Sequence, residues 1–138
     1  MIGFFDDSGL SVRSTGLTAI QATTGASAAV DREVFLGVTD TGRAWYAASD
    51  PGTDNIVVSI ADSAGGTSLL PSSIRMALLS ANLGSATPGA SLTIGTAVQP
   101  GSINAVSFWV RIDAPVFAAG IYSNLSLTTN DLISQAVA

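Results

Sequence analysis

Acidic side chains in turn-like segments are the first residues in this chain whose types and spacing could do chemistry. The Asp-Thr-Gly triplet at residues 40–42 matches the motif with which aspartic proteases pair two carboxylates around one shared proton. Thr39 and Arg43 flank the triplet where those proteases place an apolar and a small residue, and their partner motif is matched only loosely by Thr-Ile-Gly at 93–95. Hairpin turns also select Asp and Gly. The triplet therefore predicts a turn, with a protease as the less favoured alternative.

A second set of oxygen-bearing side chains could bind calcium, which prefers carboxylate and amide ligands. These residues are Asp50, Asp54, Asn55 and Asp62. Their spacing fits no known calcium loop, and Asp-Pro-Gly at 50–52 is common in turns. We therefore predict a turn at 50–55, and neither a metal nor a cofactor.

Aromatic residues offer a third possibility, a platform on which sugar rings could stack. The set consists of Trp45, Tyr46, Trp109 and Phe117. Trp109 alternates with Phe108 and Val110, so it points outward if those two lie in the core. An exposed tryptophan can serve in packing, in a protein interface or in carbohydrate binding, and the sequence leaves all three open.

Composition excludes several classes of function. The 138 residues suit one domain and carry a net charge of -5, with five scattered arginines and no lysine. No basic stripe is present, so we expect neither nucleic-acid binding nor docking on anionic membranes. The chain has no Cys and no His, which removes thiol and imidazole catalysis. No enzyme activity is therefore predicted. The acidic pairs Asp6–Asp7 and Asp31–Glu33 are expected to protect sheet edges.

The elements that position these residues read as short strands. Alternation is clearest in residues 108–112, in residues 121–128, and in Val34, Leu36 and Val38. Gly- and Pro-rich turns at intervals of roughly 8–15 residues then predict an all-β fold with a single antiparallel sandwich of about 7–9 strands. Residues 74–83 fit a helix or a strand, and the context favours extended structure.

Several segments resemble the Ig-like β-sandwich modules of tailed-phage virion proteins and bacterial surface proteins. The matching stretches are Ile-Asp-Ala-Pro at 112–115, Ala-Gly-Ile-Tyr-Ser at 119–123, residues 34–42, and Leu-Leu-Pro-Ser-Ser-Ile at 69–74. The resemblance spans residues 15–130 and implies an Ig-like β-sandwich closed by a strand pair around a corner at 115–120. It implies a structural role for Tyr122, whose hydroxyl would bond the backbone.

These observations predict a non-enzymatic virion structural protein, most simply a capsid decoration or cement protein that stabilises a larger shell. Charged residues make up only 11% of the chain, and residues 1–14 and 131–138 are expected as extended termini, a first strand or docking arm and a tail. The partners would be the major capsid protein or other virion proteins. The chain itself is expected to form a homo-oligomer, for which a trimer is one arrangement. No signal peptide is predicted, which suits synthesis in the host cytoplasm and residence in the virion.

The predicted contact residues are Phe4, Phe5, Trp109 and Phe117. The alternative function is a carbohydrate-binding or adhesive Ig-like module of a fibre or cell-surface protein, which would use Trp45 and Trp109 together.

Overall fold

The computed structural model describes residues 1–14, 17–21, 30–62, 71–112 and 120–137, with side chains for all except 17–21 and 120–124. Within these ranges the chain is built from strands and three short 3₁₀ helices, so the all-β prediction is confirmed. The strands are β1 (Ile2–Phe5), β2 (Leu17–Gln21), β3 (Val30–Val38), β4 (Arg43–Ala47), β5 (Ile56–Asp62), β6 (Ile74–Ala77), β7 (Leu92–Gly95), β8 (Val106–Ile112), β9 (Gly120–Thr129) and β10 (Leu132–Ala136). The 3₁₀ helices are Pro71–Ser73, Ser80–Ser85 and Ser102–Asn104. No helix in the described ranges has the length and apolar character needed to cross a membrane.

The strands form three antiparallel groups. One four-stranded sheet has the order β1-β3-β8-β6, and a second has the order β2-β9-β5-β7. We call them the β3–β8 sheet and the β5–β9 sheet after their inner strands. β4 and β10 form a two-stranded ribbon, and β4 is also bridged to Val98.

Alternation along β3 and β8 produces the core. Val34 lies opposite Phe108 in the register, and both side chains are fully buried. The β5–β9 sheet contributes further buried residues to the same cluster, so the two sheets share one hydrophobic core. Burying each such side chain contributes about 1.5–3 kcal/mol. The core members from these four strands are Val34, Leu36, Val38, Ile56, Val58, Phe108, Val110, Ile112 and Leu125.

The turns follow the predicted chemistry. Residues 40–42 connect β3 to β4, and Gly42 has a φ of 71°, in the left-handed region that glycine tolerates. The turn before β5 is closed by bonds from the Thr53 and Asp54 amides to the Asp50 carbonyl oxygen, at 3.0 and 2.9 Å. Both turn predictions are confirmed.

Two segments differ from the simplest expectation. Residues 74–77 form β6, as favoured, but the chain then turns into the 3₁₀ helix Ser80–Ser85, which packs against β6 and β8. Residues 132–136, expected as a tail, form β10 and pair with β4.

The predicted corner at 115–120 falls almost wholly in residues 113–119, which lie outside the described residues. The side chain of Tyr122 also lies outside them.

Candidate functional site

Phe4 and Phe5 lie on opposite faces of the β3–β8 sheet. Phe4 is opposite Leu36 and packs against Phe108 in an edge-to-face arrangement, with ring centroids 6.2 Å apart. Phe5 is opposite Phe35 and is 2% exposed. We predicted both as contact residues. The Phe5 ring is buried within the chain and the Phe4 ring is half-buried against the core, because alternation along β1 sends one ring to each face. For Phe4, a role in partner contacts stays a prediction.

The segment after β1 folds back over the outer face of this sheet and covers Phe5. The Phe4 carbonyl oxygen accepts a hydrogen bond from the Ser14 amide (3.0 Å), and the Arg13 guanidinium lies 5.0 Å from the centroid of the Phe5 ring. Leu10 is 8% exposed and lies over Gly37, where a Cβ atom would come within 2.5 Å of its methyl groups. Residues 6–13 are therefore a cover on the sheet.

One carboxylate holds this cover in shape. The Asp7 side chain accepts hydrogen bonds from the Ser11 hydroxyl (2.6 Å), the Val12 amide (2.7 Å) and the Ser11 amide (3.0 Å). These bonds hold the pKa of Asp7 below its ordinary value, with the Ser11 hydroxyl as the largest cause. The ionised carboxylate is thus part of the folded loop.

Trp109 points outward, as the alternation predicts. It is half-buried, whereas Phe108 and Val110 on either side of it are buried in the core. Its register neighbours are Glu33 on β3 and Ala77 on β6. Trp109 is therefore the one predicted contact residue, among those whose side chains are described, that combines an outward direction with partial exposure. Phe117 lies outside the described residues.

An ion pair lies on the same face of the β3–β8 sheet as Trp109, two residues further along β8. The Arg111 guanidinium donates to both oxygens of Asp31, at 2.7 and 3.0 Å, and thereby lowers the pKa of that carboxyl group. β1 covers β3 only from Phe35 to Val38, so among the described residues Asp31 has a strand partner on the β8 side alone. The edge predicted from Asp31 and Glu33 is thus present along the N-terminal half of β3. The C-terminal half of β3 lies between β1 and β8 and is not an edge.

The two tryptophans do not share a surface. Trp45 packs against the core cluster, and its Nε1 atom is buried. Trp109 lies on the opposite side of β8 from the residues of that cluster. A platform that combines Trp45 with Trp109 is therefore not formed, because their strands send the rings in different directions.

The acidic turn residues are engaged locally. Asp40 forms an ion pair with the Met1 amino group, and the hydrogen bond from that group is the main reason why the pKa of Asp40 is lowered. Asp54 accepts a bond from the Ser49 hydroxyl at 2.6 Å. Thr93–Gly95 belongs to β7 in the other sheet. Among the residues with described positions, no three acidic side chains are grouped so as to hold a metal ion.

Four of the seven large apolar residues that are exposed in the described part of the chain lie toward one end of the β3–β8 sheet. β1 begins there, β8 begins there and β6 ends there, because neighbouring strands are antiparallel. Ile103, just before β8, is 93% exposed, and Leu79, just after β6, is 63% exposed. We call this set the apolar end; its members are Met1, Leu78, Leu79 and Ile103.

Sequence reasoning missed the apolar end, although two signals were present. Leu78 and Leu79 directly follow β6, and because side chains alternate between the two faces of a strand, two adjacent leucines cannot both point into the core. Ile103 is a large apolar residue inside the polar turn Pro-Gly-Ser-Ile-Asn at 100–104. Apolar residues at strand ends and in turns are therefore the pattern that points to this surface.

Comparison with known proteins gives no match: no family model, no curated protein and no solved structure is similar to this chain.

Proposed function

We propose that this chain is a non-enzymatic virion structural protein, a decoration or cement protein whose two sheets form an Ig-like β-sandwich that docks on a larger shell. The observation that carries the proposal is the apolar end. Ile103 and Leu79 are large, apolar and exposed, so covering them with a partner makes the free energy of binding more favourable. The partner would be the major capsid protein or another virion protein.

The mechanism would be mechanical. Docking of Leu79 and Ile103 in apolar depressions of neighbouring shell subunits would bridge those subunits and raise the free energy needed to separate them. Trp109 remains a candidate contact at the edge of such an interface, since tryptophan is enriched in interface hot spots. Phe4 and Phe5 would act indirectly, by keeping the sheet and its cover in place.

Binding to shells tests the proposal. The chain would be mixed with shells assembled from a candidate major capsid protein, and co-sedimentation would measure affinity and stoichiometry. We expect saturation at a fixed ratio of chain to shell subunit. Ile103→Ser should bind about tenfold or more weakly, because serine buries less apolar surface at the interface than isoleucine does. Leu79→Ser should behave in the same way.

Val30→Ser supplies the matched control. Val30 is 55% exposed and begins β3, at the opposite end of the same sheet, so its replacement should leave shell binding unchanged. Two results would overturn the proposal: wild-type protein that does not sediment with shells, or equal losses in Val30→Ser and Ile103→Ser.

A second candidate, carbohydrate binding, is favoured by the surroundings of Trp109 alone. The half-buried ring has the Glu33 carboxylate opposite it in the register, and sugar sites combine aromatic rings with such polar groups. This function predicts glycan binding that Trp109→Ala abolishes and Trp45→Phe preserves. A glycan array without hits would remove it.

A further inference from the structure

Along the outer edge of β10, the backbone amides have no hydrogen-bond partner among the described residues, whereas the Ser134 carbonyl oxygen accepts a bond from Arg43. The hydrogen bonds Ala48 N–H to Asp131 O (2.8 Å) and Val137 N–H to Gly42 O (2.9 Å) fix which residues of β10 bond to β4. In an antiparallel pair these positions alternate, so the backbone groups of Ile133 and Gln135 face β4.

The backbone groups of the intervening residues face away from β4. These residues are Leu132, Ser134 and Ala136. Their amides have no hydrogen-bond partner in the part of the chain that the structure describes. The strand Leu-Ile-Ser-Gln-Ala itself contains no charge and no proline, the usual means of protecting an edge, and the charge that reaches this edge is that of Arg43 on β4. β10 is therefore ready to accept another strand.

A cation is fixed at the middle of this edge. Arg43 donates from Nε to the Ser134 hydroxyl (3.0 Å) and from Nη2 to the Ser134 carbonyl oxygen (3.1 Å). It forms no ion pair among the described residues. The guanidinium has further N–H donors, so it can bind a carboxylate that arrives on the same face.

A cleft opens beside the first residue of the same strand. Its volume is about 270 Å³, and the apolar side chains of Phe4, Leu36, Leu127 and Leu132 line it. Arg13, the cation that covers Phe5, lies at the same cleft. A side chain opposite Leu132 on an added strand would share the face of Leu132, because directly opposed residues in an antiparallel pair point the same way.

We propose that β10 binds an extended segment of a partner protein as an added antiparallel strand. An acidic residue of that segment lies opposite Ser134, against Arg43. A large apolar residue two positions further along the segment lies opposite Leu132 and enters the cleft. The recognised pattern is thus acid, any residue, large apolar residue, with backbone bonds supplying affinity and the two side chains supplying specificity.

A second copy of this chain fits the edge less well. Antiparallel self-pairing centred on Ser134 would bring the two Arg43 guanidinium groups together, and it would place Ala136 opposite Leu132 at the cleft. Like charges in adjacent positions are unfavourable, and alanine is too small to fill the cleft. The partner is therefore a different, acidic segment. This inference concerns another surface than the apolar end and does not depend on the proposed function.

Amide hydrogen exchange with synthetic peptides tests it. The probe is a capped heptapeptide of threonines with glutamate and leucine at the third and fifth positions, added to the full chain at a few millimolar. We expect slowed exchange at the amides of Leu132, Ser134 and Ala136. The Ile133 and Gln135 amides, which bond to β4 already, should change little.

Matched peptides and variants separate charge from shape. Replacing the glutamate of the peptide by glutamine should weaken binding about tenfold to the wild-type chain, and not at all to Arg43→Gln, since the loss is one charge-assisted hydrogen bond. Arg43→Lys keeps the charge and should retain most of the preference. Replacing the leucine by serine should weaken binding to all three.

Two results would overturn the inference. One is the absence of alternate-residue protection along β10 at saturating peptide. The other is an equal preference for glutamate over glutamine in wild-type and Arg43→Gln chains. Protection of all β10 amides by β10 self-association, seen without peptide and dependent on protein concentration, would assign the edge to a second copy and also refute it.

Discussion

The contact between Leu10 and Gly37 allows a sharp test of the cover over the β3–β8 sheet. A Cβ atom at position 37 would lie 2.5 Å from both methyl carbons of Leu10, far inside van der Waals contact. Leu10 is held there although its φ of 56° is unfavourable for a residue with a side chain. Gly37→Ala must therefore displace Leu10, and with it the loop that Asp7 organises.

The magnitude follows from two opposed terms. Forcing one methyl group into a packed site costs about 1–3 kcal/mol, and replacing glycine by alanine inside a strand returns about 0.5–1 kcal/mol. We expect Gly37→Ala to lower the free energy of unfolding by about 1–2 kcal/mol. Leu10→Ala, which removes a buried side chain, should cost about 2–3 kcal/mol.

A double-mutant cycle measured by urea unfolding, with tryptophan fluorescence as the signal, isolates the contact. Once Leu10 is alanine, the three side-chain atoms nearest to the methyl group at position 37 are gone. The double variant should then be about 0.5–1 kcal/mol more stable than Leu10→Ala alone, because only the gain from replacing glycine in a strand remains, and the coupling energy is about 1.5–3 kcal/mol.

Gly42→Ala is the matched control for this cycle. Gly42 has a φ of 71° and, among the described residues, no atom within 4 Å of a Cβ position, so we expect its cost to be backbone strain and not to depend on Leu10. Additive effects of Gly37→Ala and Leu10→Ala, within about 0.5 kcal/mol, would refute the packing of the cover on the sheet.

Two further predictions concern polar groups that shape turns. The Ser11 and Val12 bonds lower the pKa of Asp7 below its ordinary value of 3.8, so its stabilising contribution is complete above that pH and is lost as the pH falls through the folded-state pKa. Asp7→Asn should therefore reduce stability at pH 7 and narrow the difference in urea midpoint between pH 7 and pH 3; an unchanged difference would contradict this role. Asn130 accepts a bond from the Val57 amide (2.9 Å) and donates one to the Asn55 carbonyl oxygen (3.0 Å). Asn130→Ala should lower the free energy of unfolding by about 1–2 kcal/mol. Asn82→Ala, whose side-chain amide makes no such bridge among the described residues, should change it by less than about 0.5 kcal/mol, and equal effects of the two substitutions would count against the bridge.

Local patterns were sufficient to predict the strands that build the core. Phe108, Val110 and Ile112 are buried while Trp109 and Arg111 face outward, as period-2 alternation requires. The same reasoning correctly separates Leu125, which is buried, from its exposed neighbour Ser126. A strand with one buried face carries this information in its own sequence.

Pairing partners could not be predicted in this way. β10 pairs with β4, and nothing in Leu-Ile-Ser-Gln-Ala at 132–136 identifies Arg43–Ala47 as its neighbour. Phe5 illustrates the same limit: two adjacent aromatics indicate a buried first strand, but the cover that encloses the second ring depends on Leu10 and Arg13 folding back. The apolar end was missed because exposure at strand ends depends on which elements pack there.

The pairing of β3 with β8 has a consequence for how the chain reaches its folded state. Val30 lies opposite Ile112 and Leu36 opposite Val106, so the central ladder joins residues separated by most of the sequence. Closing such long loops costs entropy before any contact repays it, and domains dominated by distant pairings fold in about milliseconds to seconds. The core also needs Leu125 from β9. During synthesis, β3 has only β1 as a possible partner, and its apolar face stays uncovered until β8 and β9 have been made. Brief chaperone protection at this stage should raise the yield of native protein.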